Sequence, residues 1–252
     1  MLVDTHAHLN DPDLLPLAGD IAAARADRGP DVIVNVGYDV PSSFTAVELA
    51  RRYAGFYAVV GIHPHDSKSA TAEDYRALSE LASDPKVRAY GEIGLDYHYD
   101  LSERETQRRV FAEQLELADS LRLPVVLHIR EAHGDALKIL KENRRYVNRG
   151  GIVHCYSGSK ELICEYLAYD FCFSFGGAVT FKNFGKADVV LAVPRDKLLL
   201  ETDCPYMTPV PYRGKTNMPE YIRFVRDKIQ EWMPDADVET LTANNAKMIY
   251  GI

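Results

Sequence analysis

The chain has 252 residues, of which 46% are hydrophobic and 26% charged, and its formal net charge at pH 7 is −8. That composition suits a globular protein with a sizeable core, and the acidic balance excludes a nonspecific DNA-coating protein, which needs a basic face. A phosphate-handling enzyme stays open, because bound divalent ions set the local charge whatever the overall sign.

Short apolar runs that read as strands alternate with amphipathic stretches that read as helices. The strands fall at 2–6, 32–36, 57–62, 87–93, 124–129, 151–155, 171–175 and 198–202, several rich in Val, Ile and Leu as parallel strands covered on both faces are. The clearest helix follows Ser102, an N-cap with Glu105 three residues on as a capping box. Its apolar stripe is Phe111, Leu115, Ala118 and Leu121. Eight strands alternating with helices predict a TIM-type (β/α)8 barrel spanning 1–252 as one domain, the usual size for that fold. An open doubly wound sheet is the alternative, but it would not gather ligands from five different strands.

The first strand carries Asp4-Thr-His6-Ala-His8. Alternate strand residues share a face, so His6 and His8 reach one ion together. Asp4 shares their side, either orienting a ligand or closing a structural ion pair. Gly61-Ile-His63-Pro-His65 ends the third strand. There His63 is a candidate substrate-phosphate contact or leaving-group acid, since imidazole titrates near neutrality; a loop brace is the alternative. His65 reads as a supporting residue.

Glu92, in Gly91-Glu-Ile-Gly94, ends the fourth strand, and its two oxygens can bridge two cations. The flanking glycines permit close backbone approach, for which a site is the simplest reason. His128 and His154 end the fifth and sixth strands, and Asp203 follows the eighth, where a charge at a barrel strand end reads as catalytic. Imidazole and carboxylate are the usual ligands of zinc and related ions. Glu201 shares parity with Asp203 and either orients a metal-bound histidine or forms a structural ion pair.

Cysteines 155, 164, 172 and 204 show no Cys-x-x-Cys spacing and read as reduced thiols. Cys155 and Cys204 directly follow two candidate ligands, yet alternation turns them away, so both are expected to pack outside the site. Past the last strand, Arg213 and Lys215 sit on a proline-stiffened loop; with Arg130 they are candidate phosphate contacts. Tyr206 or Tyr212 would stack on a base. Gly176-Gly177 either leaves room for a substrate backbone or makes a tight turn. His98 and His133 receive no role.

No stretch approaches the roughly 20 apolar residues of a membrane helix, and the start of the chain lacks the basic and apolar runs of a secretory signal. A cytoplasmic protein without membrane contact is expected. Oligomeric state stays open, a monomer being plausible.

Together these motifs resemble the TatD family of metal-dependent deoxyribonucleases, within the amidohydrolase superfamily. The resemblance is carried by Asp4–Leu9, Gly61–His65, Gly91–Tyr97, His128–Ala132, His154–Gly158, Leu200–Tyr206 and Arg213–Asn217, with Asn244-Asn245 near the end, and so covers nearly the whole chain in order. Departures are mild: Tyr156 stands where the family often has Phe, and Asn10 where it often has an acidic residue. The resemblance implies that His6, His8, Glu92 and Asp203 hold one divalent ion, and that Glu92, His128 and His154 hold a second. It implies DNA as substrate, cut as by a 3′–5′ exonuclease, with magnesium or another divalent cation. Nitrogen-rich ligation by itself suggests zinc or manganese over magnesium. In that scheme two ions on the order of 3.5–4 Å apart lower the pKa of a shared water, Asp203 orients it or takes its proton, and Arg130 or Arg213 neutralises charge on the phosphoryl group. Two rival functions remain: a hydrolase of the same fold acting on a small-molecule amide, lactone or amine, and a non-enzymatic scaffold.

Overall fold

Eight parallel strands follow one another around a single sheet: β1 (Val3–Ala7), β2 (Val32–Val36), β3 (Phe56–Val60), β4 (Val87–Asp96), β5 (Val125–Arg130), β6 (Gly151–Val153), β7 (Phe171–Phe175) and β8 (Leu198–Leu200). The computed structural model describes residues 1–25 and 27–252. Strand order equals chain order, and the ends meet: Asp203 N–H donates to the His6 carbonyl at 2.9 Å and His8 N–H to the Cys204 carbonyl at 2.8 Å. The result is the TIM-type barrel that the alternation of elements implied.

The helices between the strands are α1 (Ala18–Ala24), α2 (Val40–Arg52), α3 (Ala72–Ala82), α4 (Arg104–Ser120), α5 (His133–Glu142), α6 (Ile163–Leu167) and α7 (Ala187–Ala192), followed by α8 (Ile222–Trp232) and α9 (Val238–Tyr250). Among the described residues no helix is long and apolar enough to cross a membrane.

Strand alternation sorts the core into two layers. One set, including Tyr90, Leu127, Phe173 and Leu200, packs outward against the helices. Phe111, Leu115 and Ala118 of α4 join it as read from the sequence; each fully buried Phe or Leu stabilises by about 1.5–3 kcal/mol. The other set, Val34, Val59, Val126, Ile152 and Leu199, meets Ala243, Ala246 and Tyr250 of α9. That helix caps the N-terminal end of the barrel, where the Tyr250 hydroxyl donates to the Thr5 carbonyl at 2.9 Å.

The start of α4 differs from expectation. Glu103 occupies the N-cap with no side-chain capping bond. The Ser102 hydroxyl is committed elsewhere: it donates to the His65 carbonyl at 2.7 Å and accepts from Lys68 N–H at 3.1 Å. A hydroxyl tying down the loop after β3 outweighs a cap on a long helix already held by its buried face. Strand ends also shift. β4 runs on to Asp96 whereas β6 stops at Val153, so His154 and Cys155 lie in the turn beyond it.

Candidate metal centre

The parity that buries Val126 and Ile152 in the barrel brings His128 and His154, two residues further on, to its C-terminal mouth. His6 arrives from β1 and His8 from just past its end, Glu92 from β4 and Asp203 from just past β8. Among the described residues three groups bring ligand atoms within 4.8 Å of one another: His6, His8 and Asp203; His6, Glu92 and His154; His63, Glu92 and His128. All six candidate ligands converge, and His63 joins them.

Glu92 is at the centre and is only 3% exposed. Its Oε1 lies 2.8 Å from His128 Nδ1 and 2.8 Å from His154 Nε2; its Oε2 lies 3.4 Å from His6 Nε2 and 3.8 Å from His8 Nε2. Asp203 Oδ1 is 3.4 Å from His8 Nε2 and 3.9 Å from His6 Nε2. Burial works against ionising Glu92, but His154, His6 and His63 hold its carboxyl well below the usual range. Burial likewise opposes ionisation of Asp203, and the His8 hydrogen bond and the neighbouring imidazoles outweigh it.

Outer contacts orient the rings of His8 and His128. His8 Nδ1 is 2.9 Å from the Val36 carbonyl, which can only accept, so Nδ1 carries a proton and Nε2 faces the cluster. His128 Nε2 is 3.0 Å from Asp96 Oδ2, which turns Nδ1 toward Glu92. His154 presents Nε2, with Glu201 Oε2 3.7 Å behind its Nδ1. Imidazole nitrogens and carboxylate oxygens therefore crowd together: His6 Nε2 and His8 Nε2 are 3.2 Å apart, and no Lys or Arg pairs with Glu92 or Asp203 among the described residues. Such a donor set fits divalent cations, which supply the missing positive charge.

His63 is different. His65 N–H donates to His63 Nδ1 at 3.1 Å, so the neutral ring carries its proton on Nε2, facing inward 3.7 Å from Glu92 Oε1. Burial, reinforced by His128, keeps this ring neutral. It is built to donate. His65 itself holds Asp96 through Nε2 at 3.0 Å, the supporting role expected of it.

Glu201 and Asp4 were read as candidate orienting residues, but Asp96, Gln107 and Gln114 escaped the sequence reading. Asp96 is fully buried, and its Oδ1 accepts from His98 and Tyr99 N–H while Oδ2 accepts from both His65 and His128. Two buried glutamines on one face of α4 hold the backbone beside the site: Gln107 brackets Asp96, and Gln114 brackets Ile62 just before His63 with two bonds of 2.9 Å. Glu201 accepts from Cys155 N–H and the Ser174 hydroxyl. Asp4 is fully buried against Thr202, and burial raises its pKa to about 7. Asp96→Asn is expected to weaken metal affinity about 10–100-fold by releasing His128; chelator competition measures it, and unchanged affinity would remove that orienting role.

Neither cysteine joins the ligand groups. Cys204 is fully buried in the outer layer. Cys155 lies nearer the site than alternation predicts, because β6 has already ended; burial pushes its thiol up, and Glu201, Asp203 and Glu92 push it further.

The mouth opens into a cavity of about 580 Å³ lined by Tyr38, Tyr99, Arg130 and Tyr206 above the ligands. Arg130 lies over the Tyr99 ring, 4.8 Å to its centroid. Tyr99 and Tyr206 are 56% and 53% exposed, open to a base. Arg213 and Lys215 are not among the lining residues: Arg213 lies over Phe181 at 3.8 Å and Lys215 over Tyr212 at 5.4 Å. Tyr212 stacks on Tyr221. The glycine pairs serve packing: a Cβ at Gly94 (φ 139°) would sit 2.1 Å from the His128 carbonyl oxygen, and one at Gly177 would sit 1.8 Å from that of Met207.

His133, at the start of α5, has Nδ1 2.8 Å from the Tyr166 hydroxyl, and burial with Lys186 lowers its pKa to about 4. The folded ring is neutral while the unfolded ring charges below its ordinary 6.5, so the unfolded state binds more protons between those values. Stability is full above pH 6.5 and falls as pH drops toward 4. Denaturant unfolding at pH 7 and pH 5 should show an acid loss about 2 kcal/mol smaller in His133→Gln than in the parent chain; equal losses would contradict the assignment.

A family model described as TatD related DNase matches residues 3–251. The chain is 43% identical to the uncharacterised metal-dependent hydrolase YabD of Bacillus subtilis, covering 100% of both chains. It is 32% identical to the 3′–5′ ssDNA/RNA exonuclease TatD of Escherichia coli, covering 92% of each. Its structure is similar to that of YjjV, a TatD homologue of Escherichia coli, with a TM-score of 0.92 at 29% identity, covering 100% of this chain and 98% of the other.

Proposed function

Because the chain belongs to the family of TatD-related DNases, we propose that it hydrolyses phosphodiester bonds of DNA from a 3′ end, using two divalent cations. Single strands or free 3′ ends are the substrate. His6, His8, Glu92 and Asp203 would hold one ion and Glu92, His128 and His154 the other, with zinc or manganese favoured over magnesium by the nitrogen-rich donors. The observation that carries this reading is Glu92: one buried carboxylate, shared by two groups of imidazoles, with its two oxygens facing different sets.

Bound there, the cations would draw charge from the phosphoryl oxygens and make water nucleophilic near neutral pH. Asp203, ionised and on the exposed side of His8, accepts the proton of the attacking water. His63 offers its inward Nε2–H to a phosphoryl or leaving-group oxygen. Arg130, backed by Tyr99, holds the next phosphate, and the exposed faces of Tyr99 and Tyr206 receive bases. An aromatic rim of this kind suits unpaired strands, whose bases have free faces.

The test is digestion of 5′-labelled single and double strands with Mg, Mn or Zn. A ladder shortening from the 3′ end of single strands, abolished by chelator, is expected. No cleavage with any of the ions would overturn the proposal; turnover of an amide, lactone or amine panel in its place would assign the site to a small-molecule hydrolase.

A further inference from the structure

We propose that the opposite end of the barrel binds a small phosphorylated anion, in a cavity lined by Arg88, Arg122 and Arg149. This cavity of about 390 Å³ lies where β4, β5, β7 and β8 begin and where the last turn of α9 crosses the barrel base. Every candidate metal ligand sits at the other ends of the strands, so the two sites share no residue.

The charge balance of the cavity runs against that of the molecule. The chain carries a net −8, yet the cavity wall brings together Arg88, Arg122, Arg149 and Lys197 against Asp170 and Asp196. Lys197 and Asp170 pair with each other. None of the three arginines lies within ion-pair distance of a carboxylate among the described residues, whereas seven of the other fifteen do. Like charges gathered in one concavity repel unless an anion joins them.

Arg88 adds an independent signal. Its Nε is buried and has no hydrogen-bond acceptor, while its guanidinium lies over the Tyr57 ring at 5.3 Å. A buried donor without an acceptor is costly, and a ligand oxygen in the cavity would satisfy it. Guanidinium forks match the oxygens of a phosphate two at a time. Leu123 and Ile249 give the same wall an apolar part, suited to an organic phosphate as well as to the free ion. The size is that of a small-molecule site. A nucleic-acid strand tracks a long basic groove, whereas this is a compact cavity bounded on one side by the end of α9.

Titration calorimetry with inorganic phosphate and with adenosine 5′-monophosphate distinguishes the two sources of the phosphate group. Saturable binding below about 1 mM is expected for at least one of them; tighter binding of the nucleotide would assign the apolar wall to its nucleoside. Arg88→Gln and Arg149→Gln should each weaken binding roughly tenfold or more, while Glu92→Ala, which dismantles the metal centre, leaves it unchanged. Arg149 is exposed, so its variant keeps the test decisive should Arg88→Gln fail to fold. Absence of saturable binding would overturn the proposal. So would binding that persists in both arginine variants but vanishes in Glu92→Ala, since that places the anion at the metal centre. Saturable binding of a long single strand but of neither small anion would overturn it as well.

Discussion

Glu92→Ala is expected to lower phosphodiester turnover at least about a thousandfold and to release bound divalent ions. The magnitude follows from what two cations contribute, several kcal/mol of charge stabilisation at the transition state, with each 1.36 kcal/mol worth about a factor of ten in rate. Glu92 is the one carboxylate whose oxygens face both sets of imidazoles, Oε1 toward His128 and His154, Oε2 toward His6 and His8. Its loss leaves two groups of imidazoles with no shared anion between them. Metal analysis of the purified variant beside its kinetics gives the check. Full metal content with unchanged cleavage would refute a bridging role. Thermal melting guards against a trivial result, because the variant also removes a buried carboxylate on which several imidazoles converge.

Asp203→Asn should separate proton transfer from binding. General-base catalysis contributes about 10²–10⁴-fold, so kcat is expected to fall by that much while KM for a labelled single strand changes little. Asn keeps the shape and one oxygen toward His8 but takes no proton from water. The parent carboxylate is held ionised by His8 and the surrounding imidazoles, which overcome its burial. A rise in KM at unchanged kcat would recast Asp203 as a binding residue.

Much of this site was legible in the chain because barrels place chemistry by a simple rule. A residue two positions beyond an interior-facing apolar residue, at a strand's C-terminal end, faces the mouth. Val126 and His128 obey it, as do Ile152 and His154. The rule fails where strands end irregularly. β4 extends three residues past the apolar run and carries Asp96, the anchor of His128, whose partners lie 31 and 32 residues away in sequence. Such pairings arise only once neighbouring strands align. Cys155 shows the converse, a strand ending early and its alternation ending with it.

Hydroxyls and cations were harder to read because each has several partners within reach. Ser102 satisfies a capping pattern and yet bonds a loop 37 residues away. Arg213 and Lys215 have the charge for a phosphate but lie over aromatic rings. Gln107 and Gln114 look like ordinary helix formers, and only their shared burial against Asp96 and Ile62 reveals that they hold the site's backbone.

Anomalous diffraction from crystals of the metal-loaded protein tests the central claim most directly. Two peaks are predicted, one within coordination distance of His8 and Asp203 and the other of His128 and His154, both touching the Glu92 carboxylate. A single peak, or ions bound away from Glu92, would contradict it.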